Sequence, residues 1–335
     1  MSIIINNMMK KINMLIVVLL FSISAAVPVS AEVYSYDKDS TVIGIVKTHK
    51  INGDESLIEV ARKFNLGYNE IVDANPSIDP FLPGKFSNVK LPTMWVLPDI
   101  ERNEGIVVNL TEMRLYYFFN QKGSVMVRTF PIGIGDDGND TPVGNFKIIE
   151  KIVKPSWHVP QSIKKERPEL PDVVPPGPAN PLGSHALRLS LGSYLIHGTN
   201  RPWAVGRKVT HGCLRLYPED IPKLFEIVPN GTKVTIVRQS VKVGVKDKKV
   251  YIEVHKDENE KETDRGYFKT AVELLSKKGL MKMVSTEKLY HAVRQKSGVP
   301  VEISGLEIEL PQKIFAENFL RESKITSFAA IQMPF

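Results

Sequence analysis

Only one cysteine, Cys213, occurs among the 335 residues. A single thiol excludes a disulfide within the chain, and a lone thiol indicates either chemistry or an inert buried side chain. No second long apolar run follows the one at residues 14–21, so we expect no membrane span in the chain after that run. Long basic runs are also absent, which argues against nucleic acid as a partner.

Residues 1–31 have the pattern of a signal peptide. Two lysines precede the apolar run, and the small residues Val29-Ser30-Ala31 fit a cleavage site. The apolar run is short for a bilayer span, and an uncleaved anchor is the alternative. No cysteine stands at the cleavage site to carry a lipid, so we expect a soluble, exported protein that begins at Glu32.

The charge of the chain is mildly positive. The formal net charge is +7, and without the two lysines of the leader 42 basic residues stand against 37 acidic ones, a net charge of +5. In an exported protein, this excess suits an anionic polymer better than nucleic acid. The length allows two or three small domains with real cores.

Residues 194–217, YLIHGTNRPWAVGRKVTHGCLRLY, carry the residues most suited to catalysis. Cys213 follows two histidines, His197 and His211, each of which precedes a glycine. A free cysteine with a pKa of about 8.5 is mostly protonated at neutral pH, so a nucleophilic thiol needs an adjacent base, and either histidine suits that role. Two glycines permit close approach of the backbone to a substrate: Gly198 and Gly212.

An extended conformation after Thr210 would place His211, Cys213 and Arg215 on one face, because side chains two residues apart share a face of a strand. His197 ends a short apolar run. A returning strand would therefore bring His197 opposite the thiol.

From residue 105 the pattern becomes that of β-strands separated by Gly-rich turns. Antiparallel strands with such turns predict a mainly β domain, sandwich or barrel-like. The Gly-x-Gly at residue 133 is not a dinucleotide fingerprint, because no helical pattern follows it, and we expect no cofactor. The apolar runs lie at residues 106–108, 114–119, 125–134 and 146–149.

Residues 155–181 contain eight prolines. Proline removes a backbone donor and fixes φ, so this segment cannot supply central strands and is expected to be an ordered surface loop. Long loops in compact domains are often lids or binding elements. The alternative is an excursion without a function.

Residues 48–92 predict a small module ahead of the β domain. Apolar residues recur at helical spacing over residues 57–64, Ser56 is a candidate N-cap, and a second short helix is predicted at residues 69–74.

Residues 240–335 predict a small α+β appendage. Alternating valines indicate a β-hairpin, and two helices follow. The second helix is predicted over Thr286 to Lys296, with Ser285 as its N-cap and Gly298 at the C-terminal position. No metal pattern appears in this region.

Residues 194–217 resemble the signature of the L,D-transpeptidases, the YkuD-type cell-wall enzymes. His197-Gly198-Thr199 matches its first element, and Thr210-His211-Gly212-Cys213-Leu214-Arg215 matches its second, with Thr210 in place of the commoner serine. The turn Thr141-Pro142-Val143-Gly144 also matches, which extends the resemblance over residues 105–239. The resemblance implies a mostly β catalytic domain with the cysteine at the edge of a sheet.

Roles for single residues follow from this resemblance and from their chemistry. Cys213 is expected to be the nucleophile and His197 the general base and acid. Arg215 is expected to bind a substrate carboxylate. Auxiliary or oxyanion-stabilising roles are assigned to His211, Gly212, Gly198 and Thr210, with a purely structural role as the alternative for His211.

The resemblance implies a peptidoglycan substrate. A tetrapeptide stem would be cut between a diamino acid and the terminal D-alanine, and the thioester would pass to an amine: a second stem, a wall-bound lipoprotein or a free D-amino acid. An L,D-carboxypeptidase would use the same residues with water as acceptor. The implied location is the periplasm, in association with the cell wall.

Residues 48–92 resemble a LysM module, which in that family binds glycan containing N-acetylglucosamine. The resemblance rests on an apolar helix, an Asn75-Pro76 turn, a Pro83-Gly84 turn and a Leu91-Pro92 ending. The run before the first helix is one residue longer than usual, so Glu55 stands where aspartate is expected. The proline-rich loop resembles the loop that covers the active-site groove in periplasmic members of the transpeptidase family.

Two further readings compete with the transpeptidase. His197, His211 and Cys213 could be three zinc ligands, although His-x-Cys is not a usual zinc spacing and no acidic helper is nearby. A non-catalytic wall-binding protein is the other possibility, in which the LysM-like module binds and the thiol is inert. Rapid alkylation of the thiol at neutral pH would argue against that second reading.

Overall fold

The computed structural model describes residues 33–257 and 263–305. The predicted signal peptide, and the C-terminal residues from 306 onward, lie outside the described residues. The strands are β1 Val33–Ser35, β2 Val42–Gly44, β3 Lys47–Lys50, β4 Asn88–Leu91, β5 Met94–Val96, β6 Gly105–Asn109, β7 Arg114–Gln121, β8 Ser124–Pro131, β9 Ile134–Gly135, β10 Gly144–Val153, β11 Trp157–His158, β12 Val173–Val174, β13 His185–Leu189, β14 Leu195–His197, β15 Lys208–Thr210, β16 Leu214–Arg215, β17 Lys233–Val237, β18 Val241–Lys246, β19 Lys249–Val254 and β20 Val301–Glu302. The helices are α1 Leu57–Lys63, α2 Tyr68–Asp73, α3 Gln161–Glu166, α4 Ile221–Ile227, α5 Asp264–Lys277 and α6 Thr286–Gln295, with single 3₁₀ turns at Pro202–Ala204 and Met281–Met283.

Nine strands form one mixed sheet in the order β1-β8-β7-β6-β17-β10-β13-β14-β16. Most neighbours are antiparallel, but β17 runs parallel to β6 and β14 runs parallel to β16. The prediction of antiparallel strands is therefore wrong for these two pairs. Parallel neighbours need a crossover connection, and the one between β14 and β16 consists of residues 198–213, between His197 and the start of β16.

The sheet is curled, as shown by strands from both ends of its order that contribute side chains to one core. Side chains alternate between two buried faces: Ile106 packs in an inner cluster that also holds Leu214 from the far edge, while Val107 packs in an outer cluster. Gly133, just beyond β8, exchanges two backbone hydrogen bonds of 2.8 and 2.9 Å with Arg215. The mainly β prediction is confirmed, but the catalytic strands form one curled sheet rather than two facing sheets.

The N-terminal region packs on the outer face of this sheet. Strands β3 and β4 pair antiparallel on either side of α1 and α2 in sequence, a β-α-α-β unit that has both predicted helices. Ser56 caps α1: its Oγ accepts from the Glu59 backbone N–H, and the Glu59 carboxylate accepts from the Ser56 N–H at 2.8 Å. Leu57 and Ile71 share the outer cluster with Tyr116 of β7, so this unit and the sheet have a common core.

The C-terminal region contains the predicted hairpin, β18 and β19, and two helices. Ser285 caps α6 as predicted, since its Oγ accepts from the Lys288 N–H. α6 ends at Gln295, one residue before the predicted Lys296, and Lys296 itself caps the C-terminus in the left-handed conformation, with φ +42°, where Gly298 was expected at the C-terminal position. Among the described residues, no helix is both long and apolar enough to cross a membrane.

A buried charge cluster joins the C-terminal hairpin to the sheet. The Lys242 ammonium lies 2.7 Å from a Glu112 oxygen and 2.9 Å from a Glu253 oxygen, and it also donates to the Val96 carbonyl. Burial raises the pKa of Glu112. Burial opposes charge on Glu253 too, but Lys242 beside it holds the pKa of Glu253 below its ordinary value. Three segments of the chain therefore meet at one buried cation.

Candidate active site

The predicted residues meet at the edge of the curled sheet, where β14 and β16 lie side by side. The parallel register pairs His197 with Arg215, and Cys213 directly precedes β16. Side chains two residues apart in an extended chain share a face, so Cys213 and Arg215 lie on the same face as His197. The crossover between these strands returns the thiol to the histidine.

The segment around the thiol is not the single strand predicted after Thr210. β15 ends at Thr210 and pairs with β9, whereas β16 begins at Leu214 in the nine-stranded sheet. Between them Gly212 has φ +94°, a left-handed conformation that favours glycine. A Cβ on Gly212 would also lie 2.6 Å from the Tyr194 ring. His211 therefore does not continue the strand face of Cys213.

Two threonine hydroxyls fix the backbone on either side of the thiol. Thr210 Oγ1 donates to the carbonyl of Cys213 at 2.7 Å, and Thr141 Oγ1 donates to the carbonyl of Gly212 at 2.9 Å. The Gly135 N–H in turn donates to Thr141 Oγ1 at 3.1 Å. Sequence reasoning noted the Thr141 turn only as a family match, without assigning this contact to it.

His197 is buried, with 3% of its surface exposed. Its Nδ1 lies 2.6 Å from the Gly198 carbonyl oxygen, which accepts only, so Nδ1 carries the hydrogen and the lone pair of the neutral ring is on Nε2. Burial, followed by the nearby Arg215 charge, lowers the pKa of His197 to about 3, although the Gly198 and Leu182 carbonyls favour the charged form. The resting imidazole is neutral.

Cys213 is half-buried and packs against a small apolar cluster that includes Leu195 and Trp157. Its Sγ lies 4.0 Å from the Ser193 carbonyl. Burial raises the pKa of the thiol, and the Leu195 backbone and the Arg215 charge offset this only in part. The resting pair is therefore a thiol and a neutral imidazole, not a thiolate and an imidazolium.

Arg215 is a largely buried cation with an unpaired donor. Its Nε is buried without a hydrogen-bond partner, and no carboxylate pairs with it in the part of the chain that the structure describes. Burial, followed by the Arg201 charge, lowers the pKa of Arg215. An unpaired buried guanidinium is costly, so this arrangement favours an anionic ligand.

The proline-rich loop reaches the site through α3. Glu166 Oε2 lies 3.5 Å from His211 Nε2, without hydrogen-bond geometry. The loop is ordered as predicted, since the buried side chain of Asn180 donates to three of its carbonyls: Pro155, Val174 and Pro175. Sequence reasoning did not find Glu166, because no local pattern connects it with His211.

The zinc alternative does not fit the geometry. Within residues 33–257 and 263–305, the ligand atoms of His197, His211 and Cys213 do not come together as a metal-binding group. The group that does come together is Glu112, Glu253 and His255, and there the Lys242 ammonium already contacts both carboxylates.

A lone thiol directly before β16 and a buried histidine on the neighbouring β14 are the groups that a cysteine-dependent acyl-transfer enzyme requires. Residues 103–236 match the family model of the L,D-transpeptidase catalytic domain, YkuD. Over 296 residues the chain is 36% identical to the probable L,D-transpeptidase YcfS of Escherichia coli, covering 84% of this chain and 91% of that protein. The chain belongs to the L,D-transpeptidase family.

Other relatives agree with this assignment. The probable L,D-transpeptidase YbiS of Escherichia coli is 38% identical over 73% of this chain and 82% of its own length. The probable L,D-transpeptidase ErfK/SrfK of Salmonella typhimurium is 36% identical over 76% of this chain and 84% of its own length. Among solved structures, the catalytic domain of the E. faecium L,D-transpeptidase superposes with a TM-score of 0.32 and 21% identity, over 42% of this chain and 99% of that one.

Proposed function

We propose that this L,D-transpeptidase uses Cys213 and His197 to transfer the acyl group of a tetrapeptide stem of peptidoglycan. The observation that supports the assignment is the parallel register of β14 and β16, which pairs His197 with Arg215, two residues after Cys213. The thiol is the one cysteine of the chain. No other residue in the site is a comparable nucleophile.

In this mechanism, the thiol proton of Cys213 is transferred to His197 while the carbon–sulfur bond forms. Cys213 Sγ attacks the carbonyl carbon of the diamino acid while His197 takes the thiol proton, and His197 then protonates the departing amine of D-alanine. The acceptor amine attacks the thioester, its proton passes to His197, and the thiol is restored. Because both resting groups are neutral, His197 acts as a general base during attack rather than as a preformed ion-pair partner.

The oxyanion is stabilised by backbone N–H groups next to the thiol. Among the described residues, no backbone acceptor bonds to the N–H of Gly212 or Cys213, while the carbonyls of both residues are bound by threonine hydroxyls. Donors fixed in this way need no reorganisation when charge develops, and loss of one such donor typically costs about 2.7–4 kcal/mol.

Arg215 binds a carboxylate of the donor stem, with Arg201 as a second nearby cation. A carboxylate would satisfy the buried Nε of Arg215. It would also cancel one of the two causes that depress the pKa of His197. Donor binding would thus strengthen the base in the complex in which it is needed.

The remaining parts of the chain are assigned to wall association. The β-α-α-β unit from β3 to β4 supports the LysM-like module predicted over residues 48–92, with glycan as its ligand. The catalytic domain is assigned to residues 105–239, the C-terminal appendage to residues 240–335, and export to the periplasm to the signal peptide at residues 1–31. A wall-bound lipoprotein is one acceptor consistent with this location.

Mass spectrometry of muropeptides tests the proposal. The mature wild type and the Cys213→Ala and His197→Gln variants are incubated with disaccharide-tetrapeptide. We expect D-alanine release and an acyl adduct on Cys213 in the wild type only, and the products then identify the acceptor as an amine or as water. Products formed with water alone would assign an L,D-carboxypeptidase.

A folded wild type that forms no adduct and leaves the muropeptides unchanged would contradict the catalytic proposal. The non-catalytic wall-binding protein would then be favoured, and it would still retain affinity for glycan.

A further inference from the structure

The crossover that carries the second half of the site contacts the N-terminal helices. We call residues 198–217 the site segment, and residues 62–70, from the end of α1 to the first turn of α2, the docking turn. The Tyr68 and Asn69 N–H groups both donate at 3.2 Å to the site segment, to the carbonyls of Val205 and Gly206. The first turn of α2 is thus capped by the site segment.

Two glycines allow the backbones of the docking turn and the site segment to approach each other closely. Gly206 has φ +79°, and a Cβ there would lie 2.5 Å from the Gly67 Cα and closer still to the Tyr68 nitrogen. A Cβ on Gly67 would lie 2.8 Å from the Gly206 Cα. Neither position has room for a side chain, so the distance between the docking turn and the site segment is fixed.

Further contacts hold the middle of the site segment, its last residue and the chain just beyond it. The Arg207 guanidinium lies 3.4 Å from the Tyr68 ring centroid. Beyond the thiol, Tyr217 OH donates to the Leu66 carbonyl at 3.0 Å, and Arg62 pairs with Glu219 in a bidentate contact of 2.8 and 2.9 Å.

The docking turn is itself anchored on the sheet. Glu70 forms a buried ion pair with Arg114 of β7 at 2.8 Å and accepts from the Gly67 N–H at 2.6 Å. Arg114 also donates to the Asn65 carbonyl at 2.9 Å. The turn therefore bridges the rigid centre of the sheet and the segment that presents the thiol.

The site segment needs such support because its own pairing is short. β16 is a two-residue strand at the edge of the sheet, and β15 pairs only with the two-residue β9. We infer that the docking turn is a positioning element of the active site, so the N-terminal module contributes to acyl transfer apart from any glycan it binds. This inference rests on the proposed function of Cys213.

A matched pair of glycine variants tests the inference in the full mature chain. Gly206→Ala is compared with Gly231→Ala, because Gly231 has a similar φ of +83° but nothing within 4 Å of its Cβ position. Both changes add similar backbone strain, and only Gly206→Ala separates the docking turn from the site segment. A displacement of about 1 Å near reacting groups can cost roughly 100-fold, so we expect a kcat fall of about 10- to 100-fold for Gly206→Ala alone.

A gentler pair keeps the test valid if Gly206→Ala does not fold. Tyr217→Phe removes the hydroxyl bond to Leu66, and Tyr117→Phe removes a matched hydroxyl bond of 2.9 Å to the Ile227 carbonyl elsewhere in the same domain. Melting temperatures should fall similarly in both variants. We expect only Tyr217→Phe to lower kcat, by roughly 3- to 10-fold, and to change the alkylation rate of Cys213, with KM little altered.

The outcomes separate this inference from the proposed function. A wild type without D-alanine release would refute the function itself. An active wild type in which each variant of the site segment matches its control in kcat and in thiol alkylation would show that the contact serves stability alone and would overturn the inference.

Discussion

The resting protonation state of the site gives a prediction about the reactivity of the thiol. A free cysteine with a pKa of about 8.5 is roughly 3% thiolate at pH 7. Burial raises the pKa of Cys213, and each unit of increase lowers the thiolate fraction tenfold, about 1.4 kcal/mol. His197, with its pKa lowered to about 3, gives no imidazolium to stabilise a thiolate. We expect Cys213 to alkylate more slowly at pH 7 than a free cysteine model compound.

The assay is the second-order rate of iodoacetamide alkylation between pH 6 and 10, followed by mass spectrometry, with N-acetylcysteine amide measured alongside. The rate for Cys213 should still rise about tenfold per pH unit above pH 8.5, where the model compound begins to level off. A plateau that extends below pH 7 would show a preformed ion pair and refute the reasoning. Slow alkylation alone would therefore not distinguish an active thiol from an inert one, whereas fast turnover with substrate alongside slow alkylation would agree with proton transfer during attack.

Replacement of Arg215 should change the pKa of the Cys213 thiol in a known direction. Its charge favours the thiolate, so Arg215→Gln should slow alkylation at pH 7 by roughly two- to tenfold, or about 0.4–1.4 kcal/mol. Arg128→Gln is the matched control, because the Arg128 Nε is also buried without a partner but lies on β8. Faster alkylation in Arg215→Gln would show instead that relief of the His197 pKa controls the thiol.

Three further predictions concern stability and the loop. Folding lowers the pKa of His197 to about 3 from an unfolded value near 6.5, so only the unfolded state gains this proton as the pH falls. The free energy of unfolding of the wild type, relative to that of His197→Gln, should therefore drop by up to about 1.4 kcal/mol per pH unit between pH 6.5 and 4. Urea denaturation at several pH values measures this drop. Lys242→Met should destabilise by about 3–5 kcal/mol in urea denaturation because it leaves buried carboxylates without a cation. Lys249→Met, at an exposed ion pair, should cause a much smaller loss, and equal losses would contradict this. Asn180→Ala should speed proteolytic cleavage within residues 155–181 and raise KM for the donor, and an unchanged cleavage rate would show that other contacts order the loop.

The sequence predicted the parts of the site that depend on local pattern. Cys213 and His197 stood out by residue type and spacing, and an apolar run placed His197 on a strand that returns beside the thiol. The short helices and the cap at Ser56 were predictable from periodicity and capping chemistry, because both act within a few residues.

The parts that were missed depend on long-range contact. The turn at Gly212 was read as a strand because alternation of residue types does not show a positive φ. The contacts of Thr141 with Gly212 and of Glu166 with His211 join residues 71 and 45 positions apart, and no periodicity encodes such distances. The parallel strand pairs were missed for the same reason, because register and direction are set by the crossover and the core.

The buried Lys242 determines where this chain can be divided. The family match ends at residue 236, which suggests that a catalytic fragment could stop a few residues later. Such a cut would remove the Lys242 ammonium that contacts Glu112. The Glu112 carboxylate, which accepts a hydrogen bond from Tyr116, would then stay buried without a cation to balance its charge. A shortened chain would therefore need Glu112 replaced as well. The end of the family match at residue 236 is thus not a boundary between parts that fold independently.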